Sequence, residues 1–242
     1  MRKEGGMDST YPKMNQSNIS SGKEMQKLTS SLDQLSDEAL WQFDMQLETE
    51  AMSSLRRRIR EILKMDTFTD DHKVQRRIRW VQAAHAAVKA GPGDIVEIGA
   101  MEGDSTVEFC RIAEANGRHV LVVDPWTAGT QNCQGHEYDV FVGRTEKWQG
   151  NGVLEVLKAE SQSSAAIHRL RASKWAFALV DGLHRYASTL CDTMAVRDAR
   201  VICLDDMNMP PVFQVFHQAA DLLGREGIQD PMKAKKWEGY LV

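Results

Sequence analysis

Residues 94–106 read Asp-Ile-Val-Glu-Ile-Gly-Ala-Met-Glu-Gly-Asp-Ser-Thr, a strand that passes through a glycine-bearing turn into a helix. The run from Ile95 to Gly99 is short, apolar and β-branched, the composition of a buried strand. Gly99 takes backbone angles closed to other residues, and Gly103 lets a ligand approach the helix start closely. Asp104, Ser105 and Thr106 fall near that helix N-terminus, where hydroxyls cap the backbone or bind a polar ligand. An ordinary capped turn would read the same way, so its surroundings must decide.

Downstream, short apolar runs alternate with helical patterns: Val120 to Asp124, Val153 to Leu157, Ala176 to Asp181, and Val201 to Asp205. Such alternation predicts an α/β fold, a parallel sheet with helices on both faces. Ligands of such sheets bind beyond the carboxyl ends of the strands. Asp124 ends the strand after the glycine turn, where a carboxylate accepts both hydroxyls of a ribose. The dinucleotide pattern G-x-G-x-x-G is absent, which disfavours a nicotinamide cofactor. The stretch from Pro125 to Gly152 carries no strand signal and reads as a flap with a short helix around Glu137 to Trp148.

Upstream, residues 1–30 are polar and read as a flexible tail. Residues 31–68 form a helical extension: Ser36 caps a helix whose apolar positions are Leu40, Phe43, Leu47, Ala51, Leu55, Ile59 and Ile62. Residues 69–242 form the main domain, opening on a helix that starts at Thr69, carries Val74, Ile78, Val81 and Val88, and stops at Gly91-Pro92-Gly93. Arg56, Arg57, Arg58 and Arg60, with Arg76, Arg77 and Arg79, read as solvated helix faces rather than an RNA-binding stripe. His85 and His168 read as helix-face residues too, leaving His136 as the flap histidine to watch.

The chain has 242 residues, and 42% hydrophobic content is enough for one sizeable core. A formal charge of -4 offers no general attraction to polyanions, so no nucleic-acid partner is expected. No apolar run is long enough to span a membrane, and Met1 to Gln16 carries no apolar signal region; the expectation is a soluble cytoplasmic protein. Cys110, Cys133, Cys191 and Cys203 are scattered, with no C-x-x-C pair, and read as structural thiols.

Asp181 ends the fourth strand, and Asp205 with Asp206 ends the fifth, so three carboxylates should converge at one sheet edge. Any one alone could be a helix cap; together they repel unless a cation joins them. Hard oxygen ligands suit Mg²⁺ or a similar divalent ion, which would lower the pKa of a bound substrate hydroxyl. His184, three residues past Asp181, is placed to remove a hydroxyl proton, with a surface or capping role as its plain alternative. Asn208-Met-Pro-Pro211 reads as a turn whose prolines start a helix near Val212.

The arrangement Glu97-x-Gly99-Ala100-x-x-Gly103-x-Ser105-Thr106 resembles motif I of the class I methyltransferases, which have a Rossmann-like sheet. That resemblance implies S-adenosylmethionine as cofactor, its methionine part along the glycine turn and its ribose on Asp124. Ala159-Glu-Ser161-Gln162 resembles the adenine-bordering Ala-Ser-Gln of the catechol O-methyltransferase group, with Glu160 inserted, and implies Ser161 and Gln162 as further contacts. The runs Pro92 to Gly99, Asp181-Gly-Leu-His184-Arg-Tyr186 and Cys203-Leu-Asp205-Asp206 resemble the macrocin and mycinamicin type of sugar O-methyltransferases. They are also similar to the related cephalosporin-hydroxylase-like group. This likeness runs from about Thr69 onward and implies Asp181, Asp205 and Asp206 as metal ligands and His184 as base. Ala187 departs from the family's Tyr-Glu, and the strands after Asp206 must be short.

The expectation is therefore a metal-assisted O-methyltransferase of a small hydroxylated molecule such as a sugar, phenol or natural-product intermediate. A methyltransferase-like scaffold that binds a nucleoside without catalysis, and an RNA methyltransferase, are the rivals. Long amphipathic helices outside the core suggest a homo-oligomeric contact.

Overall fold

A computed structural model describes residues 37–64, 71–127, 133–229 and 238–242, without the side chains of 37–48 and 72. The expected tail, the Ser36 cap and the Thr69 helix start lie outside these residues. The described residues from Glu50 to Val242 form one compact unit, to which Asp37 to Thr49 do not belong.

Helices α1 (Asp37–Leu63) and α2 (His72–Lys89) precede an alternating series. It comprises β1 (Asp94–Ile98), α3 (Asp104–Asn116), β2 (Val120–Val123), α4 (Glu137–Gly150), β3 (Leu154–Leu157), α5 (Ser164–Arg171) and β4 (Trp175–Val180). It ends with α6 (Tyr186–Ala195), β5 (Val201–Leu204), α7 (Pro210–Leu223), β6 (Gly227–Gln229) and β7 (Gly239–Leu241). Seven strands form one sheet in the order β3-β2-β1-β4-β5-β7-β6. The first five run parallel, while β7 pairs antiparallel with both β5 and β6.

The five expected parallel strands are all present; β3 ends at Leu157 as expected, and the other four end one residue before their predicted last residues. That one residue matters, because Gly99, Asp124, Asp181 and Asp205 then stand just past the strand ends, each still held by its backbone N–H to the neighbouring strand. The two last strands are short, three residues each. Pro210 and Pro211 open α7, as expected, where a missing N–H costs nothing.

Two apolar layers cover the sheet. Leu55, Ile59 and Ile62 of α1 join α2, α3 and α4 in one cluster, while α5, α6 and α7 build the other. The buried face of α2 is only in part the expected stripe, sharing Val88 with it. Val74 is 38% exposed, whereas Trp80, Ala83, Ala84, Ala87 and Val88 are buried. Those positions follow the i, i+3, i+4, i+7, i+8 spacing of one helical face, and its alanines let α2 lie close to β4 and α3. Asp71 caps this helix, accepting from the backbone N–H of Lys73 and Val74.

Candidate active site

β1 and β4 are neighbours from which the connections depart in opposite directions, so a crevice opens beyond their carboxyl ends. A cavity of about 670 Å³ lies there. Gly99, with φ +87°, makes it possible: a Cβ there would sit 2.2 Å from the Asp181 carbonyl oxygen. Only glycine lets the β1 turn and the end of β4 meet so closely. Among the described residues, the non-glycine residues with positive φ are Met101, Trp126 and Asp206, and all three line this cavity. Such backbone strain is characteristic of positions that the surrounding structure holds for a function.

Asp124 faces the turn. Its carboxylate accepts from the backbone N–H of Ala100 at 2.8 Å, Met101 at 3.1 Å and Trp126 at 2.7 Å. An ionised carboxylate has about four lone-pair sites, so roughly one remains for a ribose hydroxyl rather than the two contacts expected. The residue thus positions the glycine turn as well as facing the cavity.

Glu97 and Thr106 stand behind the turn, away from the cavity. The Glu97 carboxylate, wholly buried, accepts from the hydroxyls of Ser105 and Thr106. Burial pushes its pKa up to about 7, although the two hydroxyl donors pull it down. Ser105 also borders the cavity. Gly103 differs from expectation: a Cβ there would meet the Phe141 ring at 2.8 Å, so its bareness admits the flap helix α4, not a ligand. Trp126 packs on Phe141 and Tyr138 with centroids 4.7 and 4.9 Å apart, and its indole N–H donates to the Met101 carbonyl at 2.7 Å. These contacts fix α4 beside the turn. Glu137, whose carboxylate accepts from the N–H groups of Gln134 and Gly135, is held down at about 2 by those bonds. His136 lines the cavity with its side chain 59% exposed.

On the opposite wall, Asp181, His184, Asp205 and Asp206 all border the cavity. His184 Nε2 lies 3.3 Å from Asp181 Oδ1 and 3.8 Å from Asp206 Oδ2. The positive φ of Asp206 breaks the extended path after β5, so two successive aspartates face one cavity. Burial pushes the Asp205 carboxyl well above the usual range, the Asp181 charge adds to this, and Arg76 opposes it.

That Arg76 lies here is what the sequence reading missed. Its Nη1 donates to Asp205 Oδ2 and, at 3.1 Å, to Asp206 Oδ1, and its guanidinium lies 5.2 Å from the Trp80 ring centroid. Burial works to lower its pKa, but Asp205, Asp181 and Asp206 outweigh burial and raise it. Arg79, also read as solvated, is buried and paired with Glu238 at 3.2 Å. The signal was available: Arg76 and Arg79 lie four residues before Trp80 and Ala83, which continues the buried face by one turn. Arg56, Arg58 and Arg60 form exposed ion pairs, as their composition predicted.

Ser161 borders the cavity, whereas Gln162 does not. Gln162 Nε2 instead donates to Ser161 Oγ and to Asp192 Oδ1, both at 2.6 Å. Burial raises the Asp192 pKa to about 6 against these donors.

The strand order, with its crevice beyond β1 and β4 and its antiparallel β7, is the Rossmann-like fold of the class I methyltransferases. A family profile described as a methyltransferase domain matches residues 96–202, from β1 into β5. No curated protein matches the chain. Two structures of CalS11 are similar in fold. The apo form of this TDP-rhamnose 3'-O-methyltransferase has 15% identity and a TM-score of 0.53, covering 80% of this chain and 93% of its own. The second CalS11 structure, of the calicheamicin methyltransferase, has 15% identity and a TM-score of 0.54, covering 80% and 91%. A putative caffeoyl-CoA O-methyltransferase from Staphylococcus aureus has 9% identity and a TM-score of 0.50, covering 90% and 98%. No helix among the described residues is long and apolar enough to cross a membrane.

Proposed function

We propose that this chain transfers a methyl group from S-adenosylmethionine to a hydroxyl of a small molecule, with His184 as the base. The observation that carries the reading is one cavity bordered by the glycine turn and Asp124 on one wall and by His184 among carboxylates on the other. When bound, S-adenosylmethionine supplies a methyl group on a positively charged sulfur that leaves as a neutral thioether. The residues fit it. Gly99 and Ala100 border the cavity, Asp124 keeps lone-pair capacity for a ribose hydroxyl, Ser161 borders the same space, and the acidic wall favours a cationic ligand.

His184 takes the proton of the acceptor hydroxyl, the part an imidazole plays in general base catalysis. The imidazolium so formed lies beside Asp181 and Asp206, at 3.3 and 3.8 Å, and their charges stabilise it. The cavity walls hold the acceptor oxygen in line, and orientation of this kind supplies much of the acceleration. A divalent ion on Asp181, Asp205 and Asp206 does not fit the arrangement as it stands. Arg76 is already bonded to Asp205 and Asp206, and among the described residues no group of three or more His, Cys, Asp or Glu side chains is disposed to hold a metal. No step therefore runs through a metal ion. The acceptor class is a sugar, phenolic or natural-product hydroxyl; CalS11 is described as acting on TDP-rhamnose.

The test is transfer of a deuterated methyl group from labelled S-adenosylmethionine into small-molecule extracts. Label should appear on a hydroxyl, and His184→Gln should slow transfer about a hundredfold or more while S-adenosylhomocysteine still binds. Transfer by His184→Gln at the wild-type rate, or label on nitrogen alone, would overturn the reading.

A further inference from the structure

Three carboxylates so close need a cation, and the fold already supplies one. Asp205 and Asp206 stand past the end of β5, Asp181 past the end of β4, and the residue that reaches them is Arg76 from the first turns of α2. We propose that the Arg76 guanidinium is the resident cation of this site, taking the place of a divalent ion, and that methyl transfer proceeds without added metal. The metal-free transfer rests on the methyl-transfer reading above; the placement of Arg76 does not.

The geometry favours a permanent occupant. The Arg76 side chain is 12% exposed, and its partners Asp205 and Asp206 are 2% and 12% exposed. A guanidinium fixed by two carboxylates and backed by an indole face is far from the freely swinging arginine of a solvated helix. The Oδ1 of Asp205 is buried and has no hydrogen-bond partner, and Arg76 holds the neighbouring Oδ2. Withdrawing the arginine would remove the guanidinium that two buried carboxylates beside Asp181 share. Arg76 also lines the cavity. From there its fixed positive charge faces an acceptor oxygen as it becomes negative, which is the electrostatic task otherwise given to a metal.

Mn²⁺ is the probe, followed by electron paramagnetic resonance on the full chain, a readout that does not depend on knowing the acceptor. The wild type should show no saturable Mn²⁺ site below the millimolar range, and chelator should leave methyl transfer unchanged. Arg76→Ala should bind Mn²⁺ at least tenfold more tightly than wild type, because the three carboxylates and His184 are then open to it. Arg76→Lys should keep the wild-type insensitivity to Mn²⁺. Where Arg76→Ala does not fold, the wild-type titration and Arg76→Gln decide. Stoichiometric Mn²⁺ uptake by the wild type that Asp205→Asn removes would overturn the proposal, whether or not the methyl-transfer reading stands.

Discussion

At the end of β1 a carboxylate with no exposure ties the hydroxyls of Ser105 and Thr106, and so the start of α3, to the sheet. Its pKa is raised to about 7 in the fold, so the folded state favours the protonated acid. The resulting stabilisation is complete below the unfolded value near 4.5 and is lost as pH rises through about 7. A shift of this size is worth about 3 kcal/mol, and Glu97→Gln, which cannot ionise, should escape it. Urea melts at pH 5 and pH 8 should show wild type losing roughly that much relative to the variant. A constant difference between the two pH values would contradict the assignment. The same residue shows where sequence reading ended. The spacing of Glu97, Ser105 and Thr106 was legible as a motif, but whether the glutamate faces ligand or helix depends on the strand's pleat and on burial. Asp181, His184, Asp205 and Asp206 were legible together because each follows a strand end, and strand ends share an edge whatever the details of packing.

Among the elements, α2 is the one whose role the sequence concealed. Its alanines and single tryptophan make a weak apolar stripe, easily lost beside Val74, Ile78 and Val81, so its arginines read as solvent-facing. In the fold two of them point inward: Arg76 to the carboxylates past β5, Arg79 to Glu238 just before β7. The Arg79 pair is almost fully buried, with side chains 10% and 0% exposed, so breaking it from one side strands a charge. Arg79→Met should destabilise the protein by about 3–5 kcal/mol at neutral pH. Adding Glu238→Gln should recover much of the loss, since neither partner is then left charged. Denaturant melts of the single and double variants check this; equal losses in both would show that the pair is not the cause. The flap was readable as a helix near Glu137, but its anchoring was not. Gly103 gave no sign in sequence that it was making room for Phe141, a residue some forty positions on.

For the whole molecule, the alternation of apolar runs with helical patterns was enough to give a parallel sheet open at its carboxyl edge. The antiparallel β7, which completes the sheet order, was visible only as a requirement for short last strands, because three residues carry too little pattern to locate. That sheet puts the glycine turn and the acidic wall on either side of one cavity, and the account stands on that cavity holding the cofactor. Calorimetric titration with S-adenosylhomocysteine tests it most directly, on wild type and on Asp124→Ala. The account predicts saturable binding by the wild type, weakened about tenfold or more in the variant, which loses both the ribose contact and the acceptor that holds the turn. No heat of binding with the wild type, or unchanged affinity in Asp124→Ala, would contradict it.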